Sequence, residues 1–344
     1  MSGYKIRFNG LDRLYDAYSW RLTRRAKKAW QTGQVIEGKF LQDFEAKVAD
    51  QSLRKFAVGV GSATDGLYFA MKSLGLTKDS VIACPVLTYI ATGGAIKRLG
   101  ARIEYIDVDQ YGSIGELKNT AKVDAVVYVN LYGNPADYNR LRKFCDDRRI
   151  PLIEDGAQSQ GAVYKDIPSG KMGDISVLSF APSKNLPCFG TGGLVLTDNV
   201  DVYHKVKALR KHGKGTKEYG YNSFLSDDHA NQLLLLLDKF PKLQKMRQKI
   251  YKRYQKQLDN IQFILKQDKD IKPSYHKCVI MTNQRTELKS YLDSYGIETA
   301  IHYPYLLDKT MTHHYPIARK KRPSISGACF ITDILVCRCA RLGQ

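Results

Sequence analysis

Short apolar runs alternate with amphipathic stretches from about residue 56 to 200. "FAVGV" (56–60) is β-like, and "SATDGLYFAMKSLGL" after it has helical spacing, with Ser62 as its candidate N-cap and Gly75 near its stop. "VIAC" (81–84) predicts a strand, "TYIATGGAIKRLG" a helix, and "ARIEYIDVD" and "DAVVYVN" (124–130) two strands. "PADYNRLRKFCDDRR" is an amphipathic helix, and "IPLIED" (150–155) is a strand closing on two acids. "ISVLSF" (175–180) and "GGLVLT" (192–197) add two more. Strands alternating with helices of this length predict an α/β fold, a mostly parallel sheet flanked by helices. Ligands of such sheets collect beyond the carboxyl ends of the strands.

The pattern changes after 200. "VYHKVKALRKHG" is helical, and "SDDHANQLLLLLDKF" and "KLQKMRQKIYKRYQKQLDN" predict two further helices separated by Pro241. "HKCVIMT", "RTELKSYLDSYG" and "ETAIHYP" then read as strand, helix and strand. The expected organisation is a large domain over 1–235 and a smaller α+β domain over 236–344, with no internal repeat and no low-complexity linker.

Composition narrows the class. A chain of 344 residues, 43% hydrophobic, can bury the cores of two domains. No apolar run reaches the ~18 residues of a membrane span; the leucine run at 233–237 ends at Asp238, and the opening "MSGYKIRFNGLDRLYD" has no apolar signal-peptide centre. The seven cysteines are odd in number and scattered, and Cys337-x-Cys339 is no zinc or thioredoxin motif, so reduced thiols, a cytoplasmic location and no metal are expected. The net charge of +20 admits nucleic acid, a small polyanionic substrate or a solubilising surface. The basic residues are split among "RLTRRAKK", "LRKHGKGTK", "KLQKMRQKIYKRYQK" and "ARKKR", with no aromatic–basic RNA motif and no helix-turn-helix. Nucleic acid and membrane are therefore set aside as expected partners.

The chemistry lies at the strand ends. "GSATDG" follows the strand at 56–60, and small residues opening a helix bring backbone N–H groups close to a phosphate. Glu154 and Asp155 end another strand. Lys184 follows 29 residues after Asp155, with Ser179 before it and "GTGG" after it. A phosphate cradle, a carboxylate and a lysine after successive strands point to pyridoxal 5'-phosphate: the lysine forms the Schiff base and the carboxylate faces the pyridinium nitrogen.

Four ordered blocks carry a more specific resemblance: "VGSATDGLYFAMKSLGL", "VIACPVLTYIATGGAIKRLGARIEYIDVD", "VNLYGNPADYNRLRKFCDDRRIPLIEDGAQSQGAVYK" and "GDISVLSFAPSKNLPCFGTGGLVLTDN". With "ALRKHG", "YGYNSFL" and "GIETAIHYP", they resemble the DegT/StrS family of nucleotide-sugar aminotransferases, fold-type-I pyridoxal-phosphate enzymes, over about residues 30–305. The resemblance implies Lys184 as the Schiff-base lysine and Asp155 as partner of the ring nitrogen. It implies Gln158 near the phenolic oxygen, Ser179 with the backbone of Ala63 and Thr64 around the phosphate, and Tyr89 stacked on the ring. Asn222 of "GYN" would reach the phosphate of a neighbouring subunit, so a homodimer with shared sites is expected. His302, Tyr303, Lys211 and Lys214 are candidate substrate contacts. The chain departs from the family pattern at Thr191, where an acid is usual, at Phe224 for Arg, and at Ser62-Ala63-Thr64 for "SGT". Past "HYP" the family continues into a further helix, whereas this chain runs through "SISGACFITDILVCRCARLGQ", so a shortened end of the small domain is expected.

The activity implied is ping-pong transfer of an amino group from an amino acid, glutamate being the expected donor, to a keto-6-deoxy sugar nucleotide. Deoxygenating relatives carry His at the lysine position; Lys184 favours transamination. An inactive relative, or a regulatory or nucleic-acid-binding one on the same fold, is the alternative.

Overall fold

The computed structural model describes residues 3–117, 122–258, 261–265, 268–312 and 334–337. Residues before 56, for which the pattern specified no element, form helices α1 (Leu11–Trp30) and α2 (Lys39–Gln51). The alternation expected from 56 to 200 follows as strand β1 (Phe56–Val60), α3 (Ala63–Ser73), β2 (Val81–Pro85), α4 (Ile90–Arg98), β3 (Arg102–Ile106), β4 (Ala125–Val129), α5 (Tyr138–Arg148) and β5 (Leu152–Asp155). A short hairpin of β6 (Val163–Tyr164) and β7 (Ile167–Pro168) precedes β8 (Ile175–Ser179), β9 (Gly193–Thr197) and α6 (Val200–Leu209).

Seven strands form one sheet in the order β1-β9-β8-β5-β4-β2-β3. β9 runs antiparallel to both neighbours, and the remaining neighbour pairs are parallel. The strands read as near-continuous apolar runs because both faces of the sheet are covered. Val58, Val60, Val127, Val177 and Val195 pack under α3, α4 and α6, while Leu178, Leu194 and Leu196 join Phe44 of α2 and the helix spanning Asp227–Gln257 in a second core. Helix α3 begins where expected: Ser62 is extended, and its hydroxyl accepts the N–H of Asp65.

Pro241 does not interrupt the helical stretch that contains it. Asp227–Gln257 is one 31-residue helix, α7, running through the proline and across positions 235–236. A proline inside a helix costs about 3 kcal/mol in a lost hydrogen bond and a carbonyl clash. Ala230, Leu233, Leu236, Leu237, Leu243 and Tyr251 keep helical spacing and are all buried along α7. Burying several such side chains, at roughly 1.5–3 kcal/mol each, outweighs that cost. The first half of α7 packs on α1 and α2; Tyr251 joins a core with Phe8, Ile264, Tyr275 and Val279.

Beyond α7, β10 (Gln262–Phe263), β12 (Cys278–Met281) and β13 (Ile334–Cys337) form a small sheet, and β11 (Ile271–Lys272) pairs with β6. Helices α8 (Arg285–Ser294) and α9 (Leu307–Thr312) complete the described elements. "ETAIHYP" is not a strand: it takes an irregular course, with only single bridges at Ile297 and Ala300 around it. Its backbone is held from the large sheet instead, where Tyr132 Oη donates to the carbonyl of His302 at 2.5 Å. Most of "SISGACFITDILVCRCARLGQ", on which the expected shortening of the small domain rested, lies outside the described residues. Among the described residues no helix is long and apolar enough to cross a membrane, and Cys84, Cys145 and Cys188 are buried free thiols.

Glu154 anchors the end of β5 beneath the site. Fully buried, it accepts from Asn130 Nδ2 (2.9 Å), Ser169 Oγ (2.7 Å), Gly170 N–H (3.0 Å), Met172 N–H (3.0 Å) and Ser176 Oγ (2.7 Å). Replacing it with Ala strips an acceptor from all these buried donors. Glu154→Ala should lower stability by about 3–5 kcal/mol, read as a drop in the urea midpoint; a loss below about 1 kcal/mol would contradict this account of the strand end.

Candidate active site

The carboxyl ends of β1, β2, β4, β5 and β8 open on one cavity of about 400 Å³. The parallel pairing of β5 with β8 sets Asp155 opposite Val177, so the loops leaving these two strands face the same crevice. One supplies Asp155 and Gln158; the other supplies Ser179 and Lys184. From the neighbouring strands come Ala63 and Thr64 at the start of α3, and Thr88 and Tyr89 after β2. Phe8, His276, Lys277, His302 and Tyr303 line the remaining wall.

Asp155 is 4% exposed. Thr92 Oγ1 donates to its Oδ2 at 2.7 Å, and the Ala157 N–H donates to Oδ1 at 3.1 Å, which orients the carboxylate. Burial raises its pKa, against the bonds from Thr92 and Ala157 and the Lys184 charge. Burial lowers the pKa of Lys184, and Asp155 opposes that shift. Desolvation thus makes neutral amine more accessible at Lys184, and any cation meeting Asp155 would draw it toward its charged form.

The start of α3 is tightly fitted. A Cβ at Gly193 would lie 2.6 Å from the Ala63 nitrogen, so β9 and the helix start meet at backbone distance. The Asp65 N–H is taken by Ser62 and the Gly66 N–H by the Ser62 carbonyl. The N–H groups of Ala63 and Thr64 belong to the helix turn that lacks intrahelical acceptors, and both residues line the cavity beside Ser179. Backbone donors at a helix N-terminus, a hydroxyl, an oriented buried carboxylate and a desolvated lysine form a donor set that fits pyridoxal 5'-phosphate.

Gln158 is used at both ends. Its Oε1 accepts the Tyr132 N–H at 2.8 Å, and its Nε2 donates to Tyr303 Oη at 3.0 Å. His302 stacks on Tyr303, with ring centroids 4.9 Å apart. Tyr89 is 53% exposed, which excludes plain core packing; its ring lies 5.8 Å from that of Tyr303. Asn222, Lys211 and Lys214 are not brought to the cavity. Asn222 is exposed and bridges Lys211 by its backbone, Lys211 pairs with Glu37, and Lys214 is exposed on the next turn. Thr191 lines the cavity, and Phe224 lies 5.6 Å from the buried Arg210 guanidinium.

The sequence profile of the DegT/DnrJ/EryC1/StrS aminotransferase family matches residues 20–343. The chain belongs to that family. The family resemblance and transaminase class expected from the strand-end motifs thus hold, and so does the expected fold. A pleiotropic regulatory protein of Geobacillus stearothermophilus is 29% identical over 86% of this chain and 82% of its own length. The dTDP-3-amino-3,4,6-trideoxy-alpha-D-glucose transaminase of Streptomyces venezuelae is 30% identical over 87% of this chain and 82% of its own. The crystal structure of S. venezuelae DesV in complex with a ketimine intermediate superposes with a TM-score of 0.89 at 28% identity, covering 97% of this chain and 92% of that one.

Several residues of this aminotransferase site carry little or no sequence signal. Asn185 Oδ1 meets His276 Nδ1 at 2.8 Å, and Asn185 Nδ2 donates to the Ser274 carbonyl at 3.0 Å, tying the residue after Lys184 to the segment that leads into β12. For Asn185 the available signal is its place in "SKN". Phe8 and Asn9 arrive from the N-terminal segment, where no motif marks them.

Burial, reinforced by the charges of Lys277 and Lys184, pushes the His302 pKa down from its ordinary 6.5 to about 3. A base with a depressed native pKa binds fewer protons folded than unfolded between those two values, so it costs stability as pH falls below 6.5. The loss of thermal stability between pH 7 and pH 5 should therefore be smaller in His302→Asn than in the wild type, by paired melts. Equal losses would show that His302 is not held neutral.

Proposed function

We propose that this chain is a pyridoxal-phosphate-dependent transaminase. It moves an amino group from an amino acid, glutamate being the expected donor, to a keto-6-deoxy sugar nucleotide in two half-reactions at one site. The observation that carries this reading is the placement of Lys184, Asp155 and the α3 start in a single cavity. The family membership and the sugar transaminases among its relatives support the substrate class. A large cofactor domain over 1–235, a small domain over 236–344 and a cytoplasmic setting complete the proposal.

The cofactor supplies an electron sink that stabilises negative charge at the substrate carbon. The N–H groups of Ala63 and Thr64 and the Ser179 hydroxyl hold its phosphate, the positive end of the helix dipole adding to their attraction. Asp155, oriented by Thr92 and Ala157, faces the ring nitrogen and favours its protonated form. Tyr89 covers the ring face, and Gln158, steadied by Tyr132, sits at the ring edge. The Lys184 amine, desolvated and so readily neutral, carries a proton at its Nζ to and from the substrate carbon. His302 and Tyr303 bound the sugar side and keep water out. The net charge of +20 draws in the anionic diphosphate, with Lys211 and Lys214 outside the cavity contributing to that field.

Lys184→Ala should abolish covalent capture of the cofactor and lower turnover at least about a thousandfold. Borohydride reduction followed by peptide mapping should place the label on Lys184 in the wild type; a label on a different lysine would overturn the assignment.

The active enzyme is a homodimer whose sites are shared. Asn222 is exposed on a loop beside Tyr219, which is 91% exposed, so the loop projects away from its own core, as a residue serving a neighbour must. Mixing Lys184→Ala chains with Asn222→Ala chains should restore up to about a quarter of wild-type sites, because random exchange makes half the dimers mixed, each with one intact site. No recovery after subunit exchange has been verified by native mass spectrometry would refute the shared site.

A further inference from the structure

Lys277 is the buried cation of this cavity for which the roles above have no use. It stands immediately before β12, is 2% exposed and lines the same space as Lys184, Asp155, His302 and Tyr303. Its ammonium lies 4.0 Å from the centroid of the Phe8 ring, an attractive cation–π placement. Phe8 is fixed in turn: its N–H donates to Glu298 Oε2 at 2.7 Å, and the Ile6 backbone bridges Ile297. The N-terminal segment and the small domain therefore pin the lysine against the cavity wall. A leucine or methionine would fill this position at far lower desolvation cost, since burying a charge is among the most expensive things a fold can do.

The charge balance of the wall states what such a lysine is for. Among the described residues lining the cavity, Lys184 and Lys277 are the lysines and Asp155 is the single acid. On the reading that the site is a pyridoxal-phosphate transaminase, Asp155 faces the ring nitrogen and Lys184 gives up its charge to act as nucleophile and base. Lys277 then remains as the second amine of that wall, set in a desolvated space against the Phe8 ring. Beside it His302 is held neutral, partly by Lys277 itself, so its imidazole offers a hydrogen-bond donor without a second charge. The phosphate donors lie elsewhere, at the α3 start and Ser179.

We propose that Lys277 binds a carboxylate of the substrate inside the cavity, and so selects for substrates that carry one there. The two sources are the amino-acid donor and a keto-sugar bearing a carboxylate on its ring. The nucleotide diphosphate is a poor candidate, because a lysine 2% exposed on the cavity wall is reached by the group that enters the cavity, not by the nucleotide trailing from it. The proposal rests on the transaminase reading, and it adds a residue that specifies which substrates fit.

Calorimetric titration of the holoenzyme with unreactive probes tests it. Glutarate stands for the donor, and UDP-glucuronate against UDP-glucose isolates a sugar carboxylate. Lys277→Met, of similar shape and no charge, should weaken glutarate or UDP-glucuronate binding by about ten- to a hundredfold while leaving UDP-glucose unchanged, the size expected for one lost charge-assisted hydrogen bond. Lys277→Arg should recover most of the affinity, which separates lost charge from lost packing; melting curves of both variants check folding. A loss confined to glutarate identifies the donor carboxylate, and one confined to UDP-glucuronate the sugar carboxylate. Unchanged affinity for both carboxylates, or an equal loss for UDP-glucose, overturns the proposal. The transaminase reading fails separately, through a wild-type protein in which borohydride traps no cofactor on Lys184.

Discussion

The structure depends on the parallel pairing of β5 with β8. That register places the ends of two strands side by side, and with them an acid and an amine that are 29 residues apart in sequence. Both groups are taken out of water, and each shifts toward its neutral form for that reason. Desolvation leaves a neutral amine accessible at Lys184 and makes Asp155 responsive to any cation that meets it. The same groups in a solvated loop would be an ordinary weak surface pair.

Holding charged groups at a strand end requires a rigid floor, and much of the polar burial serves that end. Glu154 ties Asn130 and the 169–176 loop together below Asp155. Arg54, 8% exposed, donates to the carbonyls of Gly170 (2.7 Å) and Gly173 (2.6 Å) and pairs with Asp198 at 2.9 Å. These buried groups are well supplied with partners, so the floor is stiff and the strand ends have little freedom to drift. On this floor the segments beyond α7 set their own residues: Tyr132 reaches His302, Gln158 reaches Tyr303, and Asn185 reaches His276. These cross-links couple the cavity wall at His276, His302 and Tyr303 to the loop after β5 and to the residue following Lys184.

Most strands of the seven-stranded sheet and the helices between them are legible as alternating apolar runs and amphipathic stretches, because a strand buried on both faces and a half-buried helix leave different periods in the chain. The start of α3, Asp155 and Lys184 stand out as candidates in the sequence because each lies at or shortly past the carboxyl end of a strand, where such sheets bind ligands. The departures have physical causes. Pro241 reads as a break because local propensity is visible and the tertiary burial that overrides it is not. "ETAIHYP" reads as a strand because it alternates, yet it is fixed by side chains from the large sheet in place of a ladder.

What the sequence by itself determined is therefore the class of fold and the chemical identity of the central pair, both of which follow from local pattern. What only the tertiary structure decided is everything set by distance between remote segments. It brought Phe8 from the N-terminal segment, Lys277 from before β12 and His302 from beyond α8 to one wall, and it left Asn222, Lys211 and Lys214 outside. A side chain's burial, and hence its charge, depends on which segments pack around it. No reading of neighbours along the chain contains that information.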